Sequence, residues 1–184
     1  SGRLQVYGGP LVPVLSSKLN LCLMSELAES EAVLEPAERQ LIRAHVPWSR
    51  SFVAGRTAYG GEEVTLPDFV LAERQRLVLK PAAGAGGVGV EIGARTTEAQ
   101  WSELVRVALA EGGWVVQELA ESEPFLYQAG DHGCAPHDVI WGLFVFGDAF
   151  GGCYLRMMPK QSGGPGVINS KQGAKEGIVF EVDE

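Results

Sequence analysis

Lys80-Pro-Ala-Ala-Gly84-Ala-Gly86-Gly87-Val-Gly89 lies between a β-rich run, Arg76-Leu-Val-Leu-Lys80, and Val88-Gly-Val-Glu-Ile92, which predicts a returning strand. Glycines let a chain fold tightly and bring several N–H groups to a phosphate with no side chain in the way. A lysine closing the preceding strand adds a point charge for the phosphate oxygens. The stretch is neither a Walker A loop nor a dinucleotide fingerprint, because the lysine precedes the glycines and a strand follows them. A glycine-rich β-hairpin with a solvated lysine would read the same way, so the loop alone leaves both readings open.

Downstream, Thr97-Glu-Ala-Gln100 has the form of a capping box and predicts a helix from about Glu98 to Glu111, with Trp101, Leu104, Val105 and Ala108 on one face. Gly112-Gly113 stops it, and Trp114-Val-Val-Gln-Glu-Leu119 predicts a strand. A strand edge leaving the core there could offer backbone groups to a planar base; a plain core strand is the alternative. Phe125-Leu-Tyr127, Val139 to Phe146 and Gly151 to Arg156 predict further strands, with a turn at Gly147-Asp148 and a last strand over Gly177 to Val182. Upstream, Leu4-Gln-Val-Tyr7 predicts a strand, and Ser16 or Ser17 would cap a helix to about Glu29 with Leu19, Cys22, Leu23 and Leu27 at helical spacing. Glu35-Pro36-Ala-Glu38 opens a second helix ending near His45, Ser51-Phe-Val53 predicts a strand, Gly60-Gly61 a turn, and Leu66-Pro67-Asp68 a helix to about Gln75. The pattern is α+β with largely antiparallel pairing in its later part.

The 184 residues suffice for one full domain or two small lobes. The net charge of −8 gives no support to nucleic-acid binding or to an anionic membrane surface. Phosphate binding is still compatible, since a few local donors hold it. Cys22, Cys134 and Cys153 are odd in number and widely spaced, which argues against a disulfide framework or a zinc site and for a reducing, cytoplasmic setting. No apolar run is long enough to span a bilayer, and Ser-Gly-Arg-Leu-Gln-Val lacks the order of a signal peptide. His132, Cys134, His137 and Asp138 fall in a Gly/Pro stretch that reads as loop chemistry rather than a metal site. Arg156 closes an apolar strand, and Asn169-Ser-Lys-Gln-Gly173 reads as a turn; a guanidinium and an Asn beside a glycine turn can line a phosphate pocket. A surface arginine and an ordinary turn are the alternatives.

Taken in order, these pieces resemble the ATP-grasp superfamily, and among its members the circularly permuted relatives of glutathione and glutathionylspermidine synthetases. Leu79-Lys80-Pro81 with Gly84 to Gly89, the hinge Val115-Val-Gln-Glu118, Gly151-Gly152 through Arg156, and Asn169-Ser-Lys-Gln-Gly173 match motifs of that group. His45-Val-Pro-Trp-Ser-Arg50 and Lys18, ahead of an apolar helix, agree more loosely. The resemblance implies two α+β lobes enclosing a nucleotide cleft, with residues 1–75 as the helical and linker portion and residues 76–184 as the nucleotide-binding lobes. It implies that Lys80 contacts the α- and β-phosphates under a lid of Gly84, Gly86 and Gly87. Gln117, Glu118 and Leu119 would hold the adenine, mostly by backbone. Arg156 would neutralise the transferred phosphate, Asn169 and Gly173 would line the reaction centre, and Arg50 would be a second phosphate contact or a surface arginine. ATP and Mg2+ are the implied cofactors, with a small-molecule carboxylate and an amine as substrates.

One departure stands out. Where the family places a magnesium-binding Asn, this sequence has Tyr7-Gly8-Gly9-Pro10, which supplies no oxygen ligand of the right kind. The metal residues are unknown, with Glu118 and Asp138 as the remaining carboxylates in predicted strands. The expectation is a fragment of a longer ligase whose metal ligands lie upstream. A degenerate, non-catalytic nucleotide-binding module and a plain α+β interaction domain are the alternatives.

Overall fold

The computed structural model describes residues 11–128, 133–160 and 166–179. The predicted strand Leu4–Tyr7, the segment Tyr7–Pro10, His132 and the end of the predicted strand 177–182 lie outside the described residues. The chain divides into two compact units, one holding residues up to Ala85 and Gly89–Leu119, the other Gly86–Val88 and the residues after Leu119.

The first unit contains α1 (Val12–Leu15), α2 (Leu19–Glu29), α3 (Pro36–His45), β1 (Ser49–Ser51), the hairpin β2 (Arg56–Tyr59) and β3 (Glu62–Thr65), α4 (Leu66–Ala72), β4 (Leu77–Pro81), β5 (Glu91–Ile92), α5 (Glu98–Glu111) and β6 (Trp114–Glu118). Four strands form an antiparallel sheet in the order β1-β6-β4-β5. Side chains alternate across a strand, so Leu77 and Leu79 fall on one face and Val78 and Lys80 on the other. The first face builds the main core, where Leu77, Leu79 and Val116 meet Phe52, Val70, Trp101, Val105 and Ala108. Each fully buried Leu or Val there contributes about 1.5–3 kcal/mol relative to exposure. The Trp101 indole donates to the Val70 carbonyl at 2.8 Å, so its one polar atom is satisfied inside the core. The predicted capping box is present: the Thr97 hydroxyl accepts from the Gln100 N–H, and the Gln100 side chain accepts from the Thr97 N–H.

The buried face of α2 differs from the predicted leucine stripe. Cys22, Ser25 and Ala28 are buried, while Leu19 and Leu23 are 41% and 53% exposed. Small side chains let the helix come close to the sheet, where Cys22 packs with Ala82 and Val115 and the Ser25 hydroxyl accepts from the Ser49 N–H at 3.1 Å. Leucines on that side would hold the helix off. The strand expected at Ser51–Val53 is Ser49–Ser51, and beyond it Phe52 still donates its N–H to the Trp114 carbonyl at 2.8 Å while its ring enters the core. The return after the glycine loop is shorter than predicted, only Glu91 and Ile92.

The described part of the second unit is a four-stranded antiparallel sheet ordered β10-β9-β8-β7, from β7 (Phe125–Gln128), β8 (Cys134–Phe146), β9 (Ala149–Pro159) and β10 (Lys175–Ile178). Gly147 and Asp148 join β8 to β9, with Gly147 at φ 65° as the tight turn requires. At Gly142 the cross-strand Tyr154 ring lies where a Cβ would stand, 2.1 Å away, so any other residue there would have to displace that ring. Cys134, His137 and Asp138 belong to β8 and not to a loop, because pairing with β7 runs through Cys134 to His137. His137 is buried, with Nδ1 2.9 Å from the Ala135 carbonyl and its ring edge-on to Tyr127. Among the described residues no three His, Cys, Asp or Glu side chains come together as metal ligands. The fold is α+β with antiparallel sheets, as expected.

Candidate functional site

Lys80 is the next-to-last residue of β4, on the face opposite the main core, and is half-buried there. Its ammonium donates to the Gln117 side-chain carbonyl on the adjacent strand β6. Lys18 caps the start of α2. Its backbone N–H donates to the Ala82 carbonyl at 2.9 Å, which ties the helix start to the chain just beyond β4. Its ammonium donates to the Gly84 carbonyl, also at 2.9 Å. Gly84 sits at φ +102°, a conformation that L side chains rarely adopt.

Burial pushes the Lys80 ammonium below the ordinary lysine range, the charge of Lys18 pushes it the same way, and Cys22 opposes both. Among the described residues neither lysine has a carboxylate partner in an ion pair. Two cations are therefore held beside a glycine loop, on neutral carbonyl oxygens. An anion entering between them would relieve their repulsion and gain charge-assisted hydrogen bonds.

The hinge residues lie on the core strand that was the alternative reading. β6 is not an edge strand; β1 and β4 flank it on either side. The Glu118 N–H donates to the Trp48 carbonyl and the Leu119 N–H to the Arg76 carbonyl, each at 2.8 Å, so both amides are engaged within the unit. The Glu118 carboxylate accepts from the Tyr59 hydroxyl at 2.9 Å and from Arg76 at 3.1 Å. The Tyr59 phenol is pushed up by burial first, then by its bond to Glu118. Arg50 is not a surface residue. It is 3% exposed, bonded to Glu29, Ser25 and Thr57, with its guanidinium 4.9 Å from the Trp48 ring centroid. A cavity of about 540 Å³ lies elsewhere in this unit, lined by Ser25, Glu29, Arg43, Trp48 and Glu118, with neither lysine in its wall.

In the second unit, Arg156 on β9 pairs across the sheet with Ile140 and Glu176. Its Nε is buried without a hydrogen bond among the described residues, and its guanidinium carbon is 5.5 Å from the Tyr154 ring centroid. The Asn169 side chain accepts from the Lys171 N–H at 2.9 Å, and its carbonyl accepts from Gln172 and Ala174. Gly173 closes this turn at φ +91°. The tip of the glycine loop packs on the same turn: a Cβ at Gly86 would meet the Lys171 chain at 3.3 Å, and one at Gly87 would meet Val167 at 2.5 Å. Two motifs far apart in sequence are thus in contact.

Sequence reasoning noticed Lys18 without assigning it to the site, although its position ahead of a helix was a usable signal. It missed Ser49, whose side chain bonds Gln117 at 2.6 Å; a lone serine in a short strand carries no sequence signal.

No family model matches the sequence, and no curated protein matches it. Among solved structures, the D-alanyl-alanine synthetase A of Vibrio cholerae O1 biovar eltor str. N16961 is similar at a TM-score of 0.33 and 13% identity. The similarity covers 64% of this chain and 32% of that one. No helix of the described residues is long and apolar enough to cross a membrane.

Proposed function

We propose that the chain is the nucleotide-binding part of an ATP-grasp ligase that joins a carboxylate to an amine. The observation that carries this reading is the pair Lys18 and Lys80. Both ammonium groups rest on neutral carbonyls, Lys18 on that of the positive-φ Gly84 and Lys80 on that of the Gln117 side chain, with no acidic counter-ion among the described residues. Holding two cations together without a counter-ion costs stability, and a polyphosphate removes that cost. We assign Lys80 and Lys18 to the α- and β-phosphates of ATP, with Gly84, Gly86 and Gly87 as the loop that covers them. Gln117 supports Lys80. The adenine falls to the Gln117–Leu119 segment through groups other than the amides of Glu118 and Leu119, which are engaged.

Arg156, Asn169 and Gly173 are assigned to the reaction on the motif resemblance alone, as is the likeness to circularly permuted members of the superfamily. In the proposed reaction a carboxylate oxygen attacks the γ-phosphorus and ADP leaves. The amine nitrogen then attacks the acyl carbon, phosphate leaves, and the nitrogen loses a proton. The resemblance gives the lysines, the glycine loop and Arg156 the task of binding and orienting the phosphates and offsetting their charge. Magnesium is implied by the resemblance, but the described residues do not fit it. Glu118 is tied to Tyr59 and Arg76, Asp138 is buried in β8, and no three ligating side chains converge.

That misfit favours a second reading, a nucleotide-binding module without turnover. Hydroxylamine trapping separates the two. Incubating the protein with ATP, hydroxylamine and a panel of small carboxylic acids should yield a hydroxamate and ADP for at least one acid. ATP binding with no hydroxamate across the panel would assign the module instead.

A further inference from the structure

We infer that Ser49 is a positioning residue, fixing the Gln117 amide and through it the Lys80 ammonium. This rests on the reading of Lys80 as a phosphate contact. Ser49 lies on β1 directly opposite Gln117 on β6 and is fully buried. Its Oγ donates its one proton to the Pro47 carbonyl at 2.8 Å. Toward Gln117 that oxygen can therefore only accept, and it does so from Nε2 at 2.6 Å. An amide held by its NH2 end turns its carbonyl the other way, and that carbonyl receives Lys80. The Ser49 backbone is pinned as well, its N–H donating to the buried Ser25 hydroxyl at 3.1 Å.

The relay from Pro47 through Ser49 and Gln117 to Lys80 settles two things at once. It selects one orientation of an amide that could otherwise present either end, and a flipped amide would set NH2 against an ammonium group. It also holds Lys80 with a neutral acceptor. A glutamate at position 117 would hold the ammonium more tightly and cancel its charge; the glutamine keeps that charge for an incoming anion.

The test compares binding of ATP, inorganic tripolyphosphate and adenosine by calorimetry. Ser49→Ala should weaken ATP and tripolyphosphate alike by about tenfold, the worth of one well-placed hydrogen bond between neutral groups, and adenosine by less. Ser49→Thr, which keeps the hydroxyl, should restore both. Gln117→Glu should weaken both anions, because its carboxylate would neutralise the Lys80 ammonium. If Ser49→Ala binds ATP as the parent does while Lys80→Ala loses it, Lys80 stands as a phosphate contact and the relay is wrong. Should Ser49→Ala fail to fold, Gln117→Glu decides, and unchanged ATP affinity there overturns the relay. A parent protein that binds neither ATP nor tripolyphosphate overturns the relay and the phosphate reading together.

Discussion

Replacing Arg50 by alanine separates a structural arginine from a ligand-binding one. In the structure Arg50 is 3% exposed and donates to Glu29 at 2.5 Å, Thr57 at 2.7 Å, Ser25 and the Ser49 carbonyl at 2.9 Å, and the Ala58 carbonyl at 3.1 Å. Removing one partner of a buried ion pair costs about 3–5 kcal/mol when the other charge stays buried. Here the Glu29 side chain is 41% exposed, so it rehydrates, and its share falls to the surface-pair value of about 1 kcal/mol or less. The lost hydrogen bonds and the void beside Trp48 remain, which puts Arg50→Ala at about 3 kcal/mol. Glu29→Gln should cost about 1 kcal/mol or less, since a neutral acceptor stays in place. Urea unfolding reads both as a lower midpoint at an unchanged slope. ATP affinity of folded Arg50→Ala should match the parent. Equal stability of the two variants, with ATP binding lost only in Arg50→Ala, would refute the structural role and return Arg50 to the phosphate site.

Lys80→Met should raise the urea midpoint at neutral pH, because it removes a half-buried cation held near Lys18. The sign follows from the depressed ammonium. Between the folded and unfolded pKa values the folded state binds fewer protons, so parental stability rises with pH through that window. The advantage of Lys80→Met should therefore shrink as pH climbs toward the ordinary lysine value of about 10.4; a gap constant with pH would contradict the assignment. Burial, and next the charge of Glu26, push the Cys22 thiol up to about 11, whereas Cys134 is exposed. At about pH 8, just below the ordinary thiol value, a disulfide reagent should label Cys134 rapidly and Cys22 only after denaturant. Rapid labelling of Cys22 in the native protein would contradict its burial.

The elements were legible where a local chemical signal and the tertiary environment agree. The α5 capping box, the Gly112-Gly113 stop and the short strand ending near Lys80 form for reasons contained in a few neighbouring residues. The buried face of α2 was not legible. Helical spacing marks Leu19 and Leu23 as well as Cys22, and only the close approach of the sheet favours the smaller set. Likewise, Gln-Glu-Leu at the end of a strand says nothing about whether its amides are spent, and here β1, β4 and Arg76 decide it. Of the candidate site, Lys80 and the glycines are the part that spacing alone proposes. The Lys18 contact with Gly84 and the Ser49 contact with Gln117 join residues 66 and 68 positions apart, beyond the reach of any local pattern.

The most direct measurement is ATP affinity by titration calorimetry for the parent, Lys18→Ala and Lys80→Ala, each checked for folding. The account predicts saturable binding by the parent, weakened at least about tenfold by either substitution, since each removes a charged donor to phosphate. Saturable ATP binding that neither substitution alters, or no binding by the folded parent at all, would contradict it.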